Sequence, residues 1–355
     1  MKIIKKNLHL YFLLVFQIFL ILIISIFNYK FIFYNKWNFN NNKKKIVIEI
    51  DIYGSRIGEG GPAKFVRGMK ELLPYNTSSC SFISSEGIYP INGKNKSDYF
   101  YLPFPLMSEA IYNEWINVSR ASSLIIGPCF VPSYWNSFPN KNIWKEKRFR
   151  EIITTIKGLV IHSNRVKEHL STRSNTTDLN NKFIVVRACT NLMPKYVNSF
   201  ENRTIDIIFF EKYPDLNRRK QGAELLSLFN STSKNIKTMR YGNYTKEQMI
   251  YLANNTKFII YFSFFDTGAI GLKEIQNHGV FAFSHQKDLV IDKRTSFYIP
   301  ELANENDMKP AFININKKIE IITNNHPNSQ LIAEKNQKIN KCQNALDELC
   351  KAIIK

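Results

Sequence analysis

The sequence predicts an α/β protein of two Rossmann-like domains facing a central cleft, preceded by an N-terminal transmembrane helix. Three observations lead there. The chain has 355 residues, too long for one small core and suited to two domains of about 150 residues each. Runs of β-branched residues alternate with helically spaced ones on both sides of an interruption near residues 191–203, where Pro194, Asn198 and Asn202 break the pattern. An uncharged apolar segment, Leu10–Phe27, precedes all of this.

That segment reads LYFLLVFQIFLILIISIF, and apolar character resumes at Phe31–Tyr34 beyond Asn28 and Lys30. It is long enough to span a bilayer, exceeds a signal-peptide core, and has no A-x-A cleavage site after it. An uncleaved anchor with its short tail is therefore expected over residues 1–34. Residues 35–45 (NKWNFNNNKKK) are polar and aperiodic and read as a stem. Lysines stand on both flanks, so the positive-inside rule does not orient the anchor. Sequons begin at Asn76, Asn95, Asn117, Asn175, Asn202, Asn230, Asn243 and Asn254, against roughly four expected by chance. The excess favours a single-pass type II arrangement, with the body in the lumen of the ER or Golgi.

A hydrophobic content of 44% excludes disorder for most of the chain. The net charge of +20 calls for anionic partners. Part of it flanks the anchor, where Lys2, Lys5, Lys6, Lys30, Lys36, Lys43, Lys44 and Lys45 occur with no acid. Nothing in the sequence matches an RNA-binding signature, zinc-finger spacing or helix-turn-helix, so nucleic acid is not expected as a partner. The five cysteines, Cys80, Cys129, Cys189, Cys342 and Cys350, form no C-x-x-C pair. Buried free thiols are expected, with one disulfide an alternative for a lumenal body. Cys342 and Cys350 would lie about 12 Å apart along one helix, too far to bridge each other.

The first domain, residues 46–197, opens with a strand at Ile46–Ile52 and a helix over Pro62–Leu73. Further strands are expected at Ser123–Ile126, Gly158–His162 and Lys182–Val186, with a helix over Ser163–Leu170 behind a Ser cap. The second domain, residues 198–355, alternates regularly. Strands at Ile205–Phe210, Ile236–Arg240, Phe258–Phe262 and Val280–Ser284 are separated by helices at Lys220–Phe229, Thr245–Ala253 and Ile270–Asn277. This is a doubly wound pattern, whose ligand belongs outside the carboxyl ends of the strands. One long amphipathic helix, Ser329–Ile354, is expected to pack back across both domains.

The most informative stretch runs from Ser263 to Val280 (SFFDTGAIGLKEIQNHGV), from a strand end through a Gly-containing turn into a helix. Unpaired N–H groups at such a turn suit an anionic or hydroxyl-rich ligand. Asp266 falls in the loop and Glu274 in the helix, so both carboxylates are placed to accept hydrogen bonds from sugar hydroxyls. A second stretch, Arg218-Arg219-Lys220-Gln-Gly222, sits at the helix after the first strand of this domain. A third, Gly58-Glu-Gly60-Gly61-Pro62-Ala63, joins the first strand to its helix.

Asp266-x7-Glu274, with Gly268 two residues after the first acid, resembles the Glu-x7-Glu signature of the retaining GT-B glycosyltransferases, a family 4-like group that includes sucrose synthase and the bacterial phosphatidylinositol mannosyltransferases. The resemblance implies that Asp266 contacts the donor sugar and Glu274 the nucleotide ribose. It places Lys220, beside Arg218, Arg219 and Gly222, on the donor diphosphate. Gly60 and Gly61 match the family's Gly-Gly loop near phosphate and acceptor. The departure is Asp for Glu at the first position, one methylene shorter. The family's frequent His at a central N-terminal strand end is replaced by Gly127-Pro128, and His162 is read as a partly buried strand-end residue.

The resemblance implies transfer of a hexose from a nucleotide-diphosphate sugar to a glycan, protein or lipid acceptor, with retention of configuration. The nucleotide sugar is then a substrate, and no separate cofactor is expected. No D-x-D motif occurs, so no catalytic metal is expected. Two alternatives stay open. One is an inactive membrane-tethered scaffold. The other is an NAD(P)-dependent oxidoreductase, because Gly58-x-Gly60-x-x-Ala63 also fits the dinucleotide fingerprint, with Glu86 as the ribose acid.

Overall fold

The computed structural model describes residues 47–52, 61–85, 97–102, 121–128, 146–173, 177–212, 216–263, 268–289, 292, 294–304 and 306–355. The expected anchor and stem lie outside these residues. Among the described residues no helix is long and apolar enough to cross a membrane.

The N-terminal half is built on β1 (Ile48–Ile52), a central strand whose Ile50 and Ile52 are buried. It pairs in parallel with β3 (Cys80–Ser84) and β4 (Tyr99–Leu102). The sheet continues in parallel through β5 (Leu124–Ile126), β6 (Gly158–Ile161) and β7 (Phe183–Val185). The short β2 (Tyr75–Asn76) adds antiparallel to β3, giving the order β2-β3-β1-β4-β5-β6-β7. Helices α1 (Gly61–Lys70), α2 (Glu146–Thr155) and α3 (Asn164–Arg173) belong to this half. The sequence pattern shows β1, β5, β6, β7, α1 and α3, and passes over β2, β3, β4 and α2.

The C-terminal half follows the expected alternation closely. It runs β8 (Ile205–Lys212), α4 (Leu216–Asn230), β9 (Ile236–Arg240), α5 (Lys246–Asn255), β10 (Thr256–Ser263), α6 (Ile270–Gln276), β11 (Phe281–Ser284) and β12 (Ser296–Tyr298). All pairings are parallel, in the order β12-β11-β10-β8-β9. Thr245 caps α5 in a full capping box with Gln248, as its position before the helix implies. One boundary differs: α4 starts at Leu216, not Lys220, so Lys220 stands a turn inside the helix.

The two faces of this sheet are covered separately. Leu225 and Phe229 of α4, with α7 (Lys309–Asn324), cover the face bearing Phe209, Phe258 and Phe283. Its aromatic rings pack in register, Phe209 on Phe262 at 5.9 Å and Phe283 on Phe297 at 5.4 Å. Leu272 and Ile275 of α6, with Met249 and Ala253 of α5, cover the other face. The helices leaving neighbouring strands β8 and β10 therefore diverge to opposite faces. That divergence marks the switch point of a doubly wound sheet, the place where such sheets bind their ligands.

The expected single C-terminal helix is broken at Lys341, which is extended (ψ 135°). The first part, α8 (Ser329–Asn340), lies on the C-terminal half, where Asn336 Nδ2 donates to Gln276 O and Asn340 Nδ2 to Asn277 Oδ1. The second part, α9 (Cys342–Ile354), crosses to the N-terminal half. Its apolar face, Leu346, Leu349 and Ile353, joins the core of Ile50, Phe82 and Val160. The chain end, read from sequence as part of the second domain, thus packs with the first.

The free-thiol expectation is corrected here. Cys80 is bonded to Cys350 and Cys189 to Cys342, and both pairs join α9 to the N-terminal half. Helical spacing rules out only a Cys342–Cys350 bridge. Pairings across 270 and 153 residues depend on where the last helix returns, which local spacing does not encode. Cys129 lies outside the described residues.

Candidate functional site

Both halves belong to one unit, Ile48–Lys355, and a cavity of about 330 Å³ lies between them. Its N-terminal wall is one face of α1, with Lys64, Arg67, Gly68 and Glu71 at helical spacing. Thr190, Asn191 and Leu192 of the connecting segment line its side. The C-terminal wall is the loop after β9, with Tyr241, Gly242 and Tyr244, together with Lys246 at the start of α5 and Glu274 of α6. The volume falls within the range of small-ligand sites. Three cations and two carboxylates line it, a polar and slightly cationic surface.

Local sequence accounts for these walls. Gly242 has φ +81°, with open space where a Cβ would stand, so the loop needs glycine for its backbone alone. Gly271 leaves room on α6 for Tyr244, whose hydroxyl lies 3.3 Å from where its Cβ would be. The Tyr244 ring packs edge-on against Phe210 at 5.9 Å, fixing it as an aromatic wall one turn from Glu274. Asn191 Nδ2 donates to Gly68 O and to Glu71 Oε2, tying the connecting segment to α1.

Glu274 is 5% exposed, and its carboxylate meets the other half directly: Lys64 Nζ donates to Oε2 at 2.6 Å. A carboxylate this desolvated requires a cation or several donors to stay charged. Further contacts join the halves nearby. Lys273 Nζ donates to Ala188 O at 2.6 Å, and Arg165 reaches Gln286 Oε1 at 3.3 Å.

The turn before α6 is also shared between the halves. Ala269 holds a left-handed conformation (φ 43°), unusual for a residue with a Cβ. A Cβ on the preceding Gly268 would stand 2.9 Å from His162 Cδ2 and from Ala188 Cβ. His162, just after β6, is buried at 8% exposed and packs edge-on to Phe65 at 4.9 Å. Its Nδ1 lies 2.8 Å from Val186 O, and because a carbonyl only accepts, that nitrogen carries the hydrogen. The sequence reading of His162 as a strand-end residue holds for its position and misses its place against the Gly268 turn.

Among the sequence-predicted residues, Glu274 lines the cavity and Gly268 stands against the opposite half. Gly61 opens α1. Asp266 and Gly60 lie outside the described residues. The basic run of α4 does not line the cavity and is divided. Arg218 is buried, donates to Gln221 Oε1 and Leu302 O, and stacks on Phe262. Arg219 and Lys220 are exposed, and Gly222 is buried. Sequence reasoning missed Lys64, Arg67, Tyr241, Tyr244 and Lys246. For Lys64 and Arg67 the available signal was their i, i+3 spacing on the helix after the glycine loop.

Two Rossmann-like halves with largely parallel sheets, a cavity between them, and a C-terminal helix returning to the first half define the GT-B fold. Solved structures share it. Sucrose-phosphate synthase from Thermosynechococcus elongatus matches over 86% of this chain and 98% of its own, with TM-score 0.57 and 10% identity. An α-glucosyltransferase (AGT) solved in complex with UDP matches over 87% of this chain and 100% of its own, with TM-score 0.51 and 10% identity. At such identity the likeness is one of fold. No protein-family model matches the chain. No curated protein matches it in sequence.

Proposed function

We propose that this protein is a glycosyltransferase that moves a hexose from a nucleotide-diphosphate sugar to a glycan, protein or lipid acceptor, with retention of configuration. The observation that carries the reading is Glu274. A buried carboxylate, eight positions after Asp266, lines a polar cavity between two Rossmann-like halves. Both structures described above are named for sugar-transfer chemistry, and one holds UDP. In this reading Glu274 accepts from the ribose and Asp266 from the donor sugar. Exposed Arg219 and Lys220 are the members of the basic run available to a diphosphate, while Arg218 and Gly222 brace the helix that carries them. The glycine pair Gly60 and Gly61 is assigned to the phosphate and acceptor side, and Gly268 is kept free of a side chain so that the turn before α6 can pack against His162 and Ala188. Cations around the leaving phosphate would stabilise charge that grows as the glycosidic bond breaks. The acceptor hydroxyl attacks from the same face, and the departing phosphate takes its proton.

We further propose a type II membrane protein with a lumenal body. Two disulfides suit an oxidising compartment. The sequon asparagines Asn76, Asn202, Asn230 and Asn243 are exposed, as carrier sites must be.

Nucleotide release from UDP-, GDP- and ADP-sugars by the full chain, in the presence of an acceptor mixture, tests the activity. Asp266→Ala and Glu274→Ala should each abolish it. Nucleotide binding without turnover, unchanged in both variants, would instead establish the scaffold. The oxidoreductase reading is disfavoured because residues 53–60 separate β1 from α1, whereas a dinucleotide turn follows its strand at once. NAD(P) binding abolished by Gly60→Val would revive it.

A further inference from the structure

Lys64 and Glu274 meet across the two halves, and among the described residues neither fills its bonding capacity. Lys64 Nζ donates to Glu274 Oε2, and Glu274 Oε1 takes no hydrogen bond from any described residue. An ammonium offers three donors, and a carboxylate about four acceptor positions. Both side chains line the same cavity. An unused acceptor and unused donors side by side match two adjacent hydroxyl groups. One hydroxyl gives its hydrogen to Oε1, and the oxygen of its neighbour accepts from Nζ.

We infer that Lys64 is a specificity-determining residue for a vicinal diol, forming with Glu274 a clamp whose jaws come from opposite halves. The inference rests on the nucleotide-sugar reading, under which the diol is the donor ribose. Three observations support it. The pair is largely desolvated, with side chains 24% and 7% exposed, so hydrogen bonds to these charged groups are stronger than in water. Tyr244, held one turn away against Gly271 and Phe210, gives a flat apolar surface beside the clamp, suited to the face of a furanose or a base. Glu274 alone would accept from either hydroxyl of a diol or from a lone hydroxyl. The second jaw makes recognition depend on both. Because Lys64 belongs to the N-terminal half, the clamp is complete only while the halves are together, which ties diol recognition to closure.

The test is titration calorimetry of the full chain in detergent with UDP, GDP and ADP, each paired with its 2′-deoxy counterpart. At least one ribonucleotide should bind the wild type about tenfold or more tightly than its deoxy form, the effect of one hydrogen bond to a charged group. Lys64→Met should bring that ratio to within about twofold, and Lys64→Arg, which keeps a cation and donors, should restore most of it. Lys64→Met strands a buried carboxylate, so Lys64→Gln, which keeps a donor to Glu274, serves if the first variant does not fold. Its ratio should fall to about threefold or less. A ribonucleotide that binds with no discrimination by the wild type, or with the full wild-type ratio in a folded neutral variant, overturns the inference. If none of the three nucleotides binds the wild type, the nucleotide-sugar reading itself fails.

Discussion

Cys342, the first residue of α9, is bonded to Cys189 in the segment that joins the two halves, with their Cα atoms 4.9 Å apart. The Cys80–Cys350 bridge fastens the same helix near its other end to strand β3. The end of the chain is thus stapled twice to the half in which it began. Alkylation of the unreduced protein should leave these four cysteines unmodified. Cross-links over such long separations restrict the unfolded chain, so Cys189→Ser with Cys342→Ser should cost about 2–4 kcal/mol, read as a lower urea midpoint.

The first bridge also inverts a familiar substitution. Gly68 lies inside α1, where alanine would ordinarily stabilise the helix by about 1 kcal/mol. Here an added Cβ would stand 2.5 Å from Cys342 Sγ, an atom fixed by its bond to Cys189. Gly68→Ala should therefore destabilise by about 1–3 kcal/mol. In a Cys189→Ala/Cys342→Ala background the clash disappears, and the same change should become neutral or stabilising. Chemical denaturation of the wild type and the three variants completes the cycle.

Gly279 offers a contrast of a different kind. It follows α6 with φ +76°, and its Cβ would stand 2.3 Å from Ser329 O, a backbone atom of α8. Its left-handed backbone is that of the glycine that commonly follows a helix. Gly279→Ala combines left-handed strain with collision, so it should lower Tm more than Gly242→Ala, which meets nothing within 4 Å.

How far the sequence carried depended on where each signal resided. β8 and β10 are eight-residue strands with apolar centres, IIFF and FIIYF, and α5 begins at a Thr cap, so local pattern suffices in the C-terminal half. By contrast β3 (CSFIS) and β4 (YFYL) are short and mix polar with aromatic residues, and the burial that makes them strands comes from their neighbours. α7 escaped because its sequence, KPAFININKKIEIITN, is rich in β-branched Ile and has no side-chain cap. Glu274 was legible through its spacing from Asp266. Its pairing with Lys64 was not, because the two lie 210 residues apart. The disulfides were hidden for the same reason.

A buried histidine gives a pH dependence of definite sign. His278 is 1% exposed, its Nδ1 faces Asn254 Oδ1 at 2.9 Å, and its Nε2 is buried with no hydrogen-bond partner among the described residues. Burial, and secondarily the Arg203 guanidinium, lowers its pKa to about 4. An unfolded histidine titrates near 6.5, so between those values the unfolded chain holds more protons than the folded one. This contribution is complete above about pH 6.5 and is lost as pH falls towards 4, with an upper limit of about 3 kcal/mol. In His278→Gln the stability profile over that window should flatten, as read from urea midpoints at half-unit pH steps.

Glu274 separates a structural role from a ligand-binding one, because its two oxygens do different things. Oε2 holds Lys64, and losing that bond leaves an ammonium that is only 24% exposed without its counter-ion. Glu274→Ala should therefore destabilise the ligand-free protein by about 1–3 kcal/mol. Oε1 is left for the ligand, so the same substitution should also remove most of the rise in Tm produced by a saturating nucleoside diphosphate, since that rise measures binding to the folded state alone. Glu274→Gln keeps the shape and one acceptor oxygen but loses the charge, so it should lose less of the ligand-free Tm and still lose most of the ligand-dependent rise. Thermal melts with and without UDP, GDP and ADP resolve the two effects in one experiment. A lowered ligand-free Tm with an undiminished rise would reduce Glu274 to a strut between the halves and remove it from the site.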